Sequence, residues 1–220
     1  MTGVSAASDG PTLDTITVAD DPAAWRAAGF EVDDDGGCAI GTVMLRLVPP
    51  EGRHGLLGWS VRGLAATELD GLPTETSSAP ARERAPRHPN GVASIDHVVA
   101  FTSDRARTVA ALERAGLDLR RLRDEPTPGG GGRQAFFRLG EVILEVIEYA
   151  DGSGHAGDAP ARLWGLALGV SSLEPLTDLL GERVSEPRDA VQPGRKIATL
   201  RRSAGVAVPL AFMTPGPGAA

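Results

Sequence analysis

"RLGEVILEVI", Arg138–Ile147, can be laid over "AIGTVMLRLV", Ala39–Val48. Gly140 then falls on Gly41, and the apolar positions match down the strand. A match of this length makes an internal repeat the first thing to test. Upstream, "IDHVVAF" from Ile95 falls on "LDTITVA" from Leu13. Between these strands lie "RARTVAALERAGLDL" and "DPAAWRAAGFEV". Both have helical apolar spacing and a glycine stop, Gly116 and Gly29, before a new strand. The repeated unit reads strand, helix, strand, strand, strand.

A fainter third copy follows. "ARLWGLALGVSS" is its first strand, and "LEPLTDLLGERV" is a short helix with Ser172 as N-cap. "RKIATLRR" and "VAVPLAFM" are its last strands. "GLLGWSVRGL", Gly55–Leu64, resembles "LWGLALGV" and predicts a truncated fourth copy at the end of the N-terminal part. The expected organisation is a flexible N-terminus (1–12), a degenerate module (13–72), a linker (73–91), a middle module (92–150), a C-terminal module (160–214) and a tail (215–220). The linker, "PTETSSAPARERAPRHPNG" from Pro73, is rich in Pro, Ser and charge and offers little apolar surface to bury.

Composition narrows the function classes. The chain has 220 residues and a net charge of −7, which argues against a nucleic-acid backbone as partner. A single cysteine, Cys38, excludes an intramolecular disulfide framework and a Cys-rich zinc site. "MTGVSAASDGPT" has neither the basic nor the apolar region of a signal peptide. No apolar run approaches the roughly 20 residues of a membrane helix. These features lead us to expect a soluble, cytoplasmic protein with no membrane partner; a small-molecule ligand is expected from the cleft face and the resemblance given below. A homodimer stays open.

The hairpin "RLGEV" predicts which side chains share a face. With Gly140 and Glu141 as the loop, Leu139 pairs with Val142, Arg138 with Ile143 and Phe136 with Glu145. One face then carries Gln134, Phe136, Arg138, Ile143, Glu145 and Ile147. The other carries Phe137, Leu139, Val142, Leu144 and Val146, all apolar, and is expected to pack on the helix. The mixed face suits a ligand. A carboxylate at Glu145, beside Phe136 and Ile143, would be desolvated and so fit for general acid/base work. The bland alternative is an ion pair with its diagonal neighbour Arg138.

The repeated βαβββ unit, "IDHVVAFTSD" with its first-strand histidine, and "RQAFFRLGEVILEVIE" resemble the vicinal oxygen chelate superfamily. That superfamily includes glyoxalase I, extradiol dioxygenases and bleomycin-resistance proteins. The resemblance is best over His88–Tyr149. It implies an α+β fold of tandem βαβββ modules whose curled mixed sheets surround a cleft. It also implies a divalent metal held by first-strand and last-strand residues of paired modules, here His97 and Glu145. The corresponding positions elsewhere are Thr15 and Arg46, and about Gly165 and Pro209, none of them a good ligand. The expectation is therefore that no metal is tightly bound.

Glu145 is the candidate catalytic residue, and Gln134, Phe136, Arg138 and Trp164 are candidate substrate-binding residues. Gln192 and Arg195 in "DAVQPGRK" are further candidates for touching an anion. "TPGGGG", Thr127–Gly132, lacks the strand-to-helix setting of a phosphate loop and reads as a loop beside the cleft. The leading expectation is a glyoxalase-like enzyme acting on a small oxygenated metabolite. The alternative is a metal-free binding or sequestering protein of the bleomycin-resistance type.

Overall fold

A computed structural model describes residues 10–125, 132–149 and 158–217. Its N-terminal part runs β1 (Thr12–Ala19), α1 (Pro22–Ala27), β2 (Gly37–Ile40), β3 (Val43–Val48), β4 (Gly55–Arg62) and β5 (Thr74–Thr76). These strands form one sheet in the order β2-β3-β1-β4-β5. The rest runs β6 (Val92–Thr102), α2 (Arg105–Arg114), β7 (Asp118–Arg123), β8 (Gln134–Leu139) and β9 (Val142–Glu148). It continues with β10 (Arg162–Val170), α3 (Glu174–Leu180), β11 (Arg188–Asp189), β12 (Lys196–Thr199) and β13 (Leu210–Met213). These make an eight-stranded sheet in the order β11-β12-β13-β10-β6-β9-β8-β7.

The sequence repeat is a repeat of register. Thr15 of β1 lies beside Met44 of the parallel β3, and at the matching positions His97 of β6 lies beside Ile143 of the parallel β9. The two hairpins close alike, Ile40 on Val43 and Leu139 on Val142. Gly41 and Gly140 open the two loops with φ of 59° and 70°, a conformation that disfavours any side chain. In each sheet two modules meet through antiparallel first strands, β4 on β1 and β10 on β6. Both junctions have the same centre, Ile16 opposite Trp59 and Val98 opposite Leu166.

Every first strand slips register just before its key residue. On β6, Ile95 and His97 face consecutive residues Leu168 and Ala167, which leaves Asp96 as the extra residue of a bulge. The same shift leaves Trp164 extra on β10, Asp14 on β1 and Leu57 on β4. β4 and β5 also reproduce β10 and β13 in detail. Trp59 N–H donates to Pro73 O at 3.1 Å, as Leu166 N–H donates to Pro209 O at 3.0 Å. A Cβ on Gly58 would meet Pro73 O at 2.9 Å, and one on Gly165 would meet Pro209 O at 2.6 Å. Backbone atoms cannot step aside as a flexible side chain can. Gly165→Ala is therefore expected to destabilise the fold by about 1–3 kcal/mol, and by more than Gly58→Ala. Paired urea melts of the two variants check this order.

One hydrophobic core serves both sheets, from Ile16, Leu45 and Trp59 to Phe137, Leu144, Leu168 and Phe212. Across it β4 touches β10, β2 touches β6 and β1 touches β8. Asp20 ties the two parts together, accepting from Trp25 Nε1–H at 3.0 Å and from Ala207 N–H at 2.8 Å. α2 lies against β7, β8 and β9. Its N-cap Asp104 accepts from Arg107 N–H at 3.0 Å, and Gly116 follows its end with φ of 90°. The apolar set Phe137, Leu139, Val142, Leu144 and Val146 is buried, as the hairpin register predicts.

Three sequence expectations need correction. Leu173, not Ser172, is the N-cap residue of α3, and no side chain caps it; the Ser172 side chain is engaged by the Glu174 carboxylate instead. The segment 73–91 is more than a linker. It begins with β5 and ends in a buried turn at His88 and Asn90. The His88 ring accepts from Glu31 N–H at 3.0 Å through Nδ1, and its Nε2–H lies 3.1 Å from Ala39 O. Composition hid this because two polar side chains supply the packing there. Finally, Gly165 does match His97, but the partner of Glu145 on β13 is Ala211. Ala211 lies opposite Ala167 just as Glu145 lies opposite Val99. Pro209 is two residues away, because β12 and β13 are joined by the long segment 200–209, with a 3-10 turn at Arg202–Ala204, where the middle module has a two-residue hairpin.

Candidate active site

The face away from α2 is a cleft. One lobe, of about 510 Å³, is lined by Arg84, Asp96, His97, Phe136, Arg138, Glu145 and Arg195, among others. A second lobe, of about 420 Å³, adds Arg123, Gln134, Ile147 and Arg188. His97, Phe136, Glu145 and Gln192 line both lobes. The hairpin register places Gln134, Phe136, Arg138, Ile143 and Glu145 here together.

His97 stands at the centre. Its Nε2 lies 3.2 Å from Glu145 Oε2 and its Nδ1 lies 2.9 Å from Asp96 Oδ2. Asp96 is a residue that sequence reasoning misses. Strict alternation sends neighbours to opposite faces, and only the bulge lets Asp96 and His97 act on the same site. Arg195, from the loop before β12, forms an ion pair with Asp96 through Nη2 and donates to Thr214 O from Nε at 2.7 Å. Burial pushes the Asp96 pKa up, but hydrogen bonds and charge from His97 and Arg195 outweigh this and hold it at about 2. An ionised carboxylate only accepts, so the Nδ1 that faces Asp96 carries the imidazole proton. Nε2 is then free to exchange a proton with Glu145.

Glu145 is held from the other side by Gln134, whose Nε2–H donates to Oε1 at 2.6 Å. Gln134 is only 4% exposed, and its own Oε1 has no partner among the described residues, so Glu145 alone orients the amide. Burial is the chief cause that raises the Glu145 pKa, and the Asp96 charge adds to it against the pull of His97 and Arg123. The ion pair with Arg138, the bland alternative, does not form. Arg138 has no ion-pair partner among the described residues.

Trp164 stands elsewhere. It is the bulged residue of β10, 39% exposed, with its ring edge-on to Phe101 at 5.3 Å. Phe101 stacks on Tyr149 at 5.2 Å, and Arg162 lies over both rings. This group is further along the strand than the two lobes, so Trp164 lines neither of them. Gln192 and Arg195 do line the first lobe. Thr127–Gly131 and His155 lie outside the described residues.

Two βαβββ modules share one sheet through their first strands. Their open face carries the first-strand His97 and the last-strand Glu145. The fold is of the vicinal oxygen chelate type. Among solved structures, the chain is similar to methylmalonyl-CoA epimerase from Mycobacterium tuberculosis, at 18% identity over 58% of this chain and 91% of that one, with a TM-score of 0.48. A hypothetical protein from Bacillus halodurans is 21% identical over 58% of this chain and 97% of that one, with a TM-score of 0.46. A Streptomyces coelicolor methylmalonyl-CoA epimerase in complex with 2-nitronate-propionyl-CoA is 20% identical over 55% of this chain and 95% of that one, with a TM-score of 0.43. No family model and no curated protein matches. No helix among the described residues is long and apolar enough to cross a membrane.

The vicinal oxygen chelate fold implies a divalent metal, and the donor set here does not fit one. No group of three His, Cys, Asp or Glu side chains converges among the described residues. The half of the cleft that would supply the remaining ligands offers Gly165 and Ala211. Any side chain at residue 165 would meet the Pro209 carbonyl. His97 and Glu145 alone give too few protein ligands for a tight divalent site. Dialysed protein is therefore expected to hold far less than stoichiometric divalent metal. Elemental analysis of the parent beside His97→Ala checks this. One ion per chain in the parent, lost in the variant, would contradict it.

Proposed function

We propose that the chain is an enzyme that moves a proton on a small oxygenated metabolite, a glyoxalase-like chemistry done with side chains. The observation that carries this reading is the contact of His97 Nε2 with a partly buried Glu145, 3.2 Å apart on the cleft floor. Glu145 is the acid/base group. Its raised pKa brings its two protonation states closer in energy near neutrality, as proton transfer requires. As a carboxylate it takes a proton from the bound metabolite, and as an acid it returns one. His97 is the second station. With Nδ1–H held by Asp96, Nε2 accepts a proton from Glu145, and the Asp96 carboxylate stabilises the imidazolium that results. Gln134 keeps the Glu145 carboxylate turned toward the cleft. Phe136 supplies an apolar wall that limits water around it.

The binding-protein reading draws on the C-terminal half of the cleft, where Gly165 and Ala211 bring no reactive group. Against it, a sequestering cleft is mainly apolar, whereas this one is lined by Arg84, Asp96, Arg138, Glu141, Glu145 and Arg195. The test is a panel of small hydroxy and oxo compounds incubated with the protein in D2O and followed by proton NMR. Exchange of a substrate C–H that depends on Glu145 supports the enzyme. Binding of panel members with no exchange by the wild-type chain supports sequestration.

A further inference from the structure

The acid groups of the first lobe are all engaged. Asp96 is held by His97 and Arg195, Glu145 by His97 and Gln134, and Glu141 by Arg84 at 2.5 Å. The cations are not all engaged. Arg84 and Arg195 have carboxylate partners, while Arg138 has none among the described residues and lines the same lobe. It comes from the end of β8, next to the rigid hairpin turn at Gly140. Arg138 pairs across the ladder with Ile143, which puts it diagonally opposite Glu145. Diagonal neighbours on antiparallel strands lie about 7–8 Å apart, their β-carbons somewhat closer. A compact molecule therefore reaches both groups at once.

We propose that the substrate is a small carboxylic acid, its carboxylate seated on the Arg138 guanidinium and its reacting end at His97 and Glu145. The acid/base reading of the site underlies this, and the proposal adds the substrate class. A planar, singly charged carboxylate matches one guanidinium fork through two parallel N–H···O bonds. A phosphate dianion fits less well. It would bring two charges to one unpaired cation, with Glu141 and Glu145 on the same lining.

The test titrates the full chain separately with 2-hydroxybutyrate, 2-hydroxybutyramide and inorganic phosphate, following the arginine side-chain signals by NMR. The acid should bind roughly tenfold more tightly than its neutral amide and should shift the Arg138 Nε–H signal. Arg138→Gln should remove the preference for the acid, and Arg138→Lys should keep part of it. Glu145→Gln should keep the full preference while losing proton exchange, which separates a failure of substrate class from a failure of the acid/base reading. The proposal is overturned by equal affinity for acid and amide, by tighter binding of phosphate, by no acid-induced shift at Arg138, or by an unchanged preference in Arg138→Gln.

Discussion

Glu145→Gln is expected to lower proton exchange by about 10²–10⁴-fold while leaving the protein folded and more stable at neutral pH. The two effects have one origin. In the fold the Glu145 pKa lies above its ordinary value, chiefly through burial. The folded chain then holds a proton that the unfolded chain releases. This favours folding fully below the ordinary glutamate value and is lost as pH rises through the raised folded value. Glutamine removes that declining limb. It also satisfies both neighbours, accepting from Gln134 Nε2–H and donating its own amide to His97 Nε2. Thermal melts from pH 4 to 8 beside the exchange assay check both halves. Unchanged exchange would remove Glu145 from the chemistry.

The second large effect is expected at Asp96→Asn. Asparagine can present either an acceptor or a donor to His97 Nδ1, so the imidazole loses its fixed tautomer. Exchange should fall by about 10²-fold, and its pH dependence should change shape. A merely structural role would scale activity equally at every pH. Stability should respond in acid. The Asp96 pKa is held at about 2, below its ordinary value, so its contribution is full above the ordinary aspartate range and is lost as pH falls toward 2. The variant should lose about 2 kcal/mol at neutral pH and lack that acid limb. Arg195, left facing a neutral amide, adds to the loss. Denaturant titrations between pH 2 and 7 measure it.

Much of this site was legible because the β8–β9 turn is local. Gly140 and Glu141 fix the hairpin, the hairpin fixes register, and period-two alternation then puts Gln134, Phe136, Arg138 and Glu145 on one face. That His97 joins Glu145 was implied by the family resemblance, and the parallel pairing of β6 with β9 is what brings it beside this face. What stayed hidden depended on departures from regularity. A bulge brings Asp96 to the site, and the same bulge on β10 turns Trp164 away from the lobes. No residue type announces either shift. Arg195 reads in sequence as a candidate for touching an anionic ligand, but its partner is Asp96 of another module, a contact that the junction of β6 and β10 creates. Gly165 reads as a missing ligand in sequence. In the fold it is a glycine because the Pro209 carbonyl lies where a side chain would begin.

The central claim is that Glu145 sits partly buried against His97 with its proton held more tightly than in water. The direct measurement is a carbon-13 NMR titration of the Glu145 carboxyl group, assigned by its loss in Glu145→Gln and repeated in His97→Ala. Titration of Glu145 above the ordinary glutamate value of about 4.3, moving higher still when the His97 attraction is removed, is the predicted result. A midpoint at or below that ordinary value, unmoved in His97→Ala, would contradict the account.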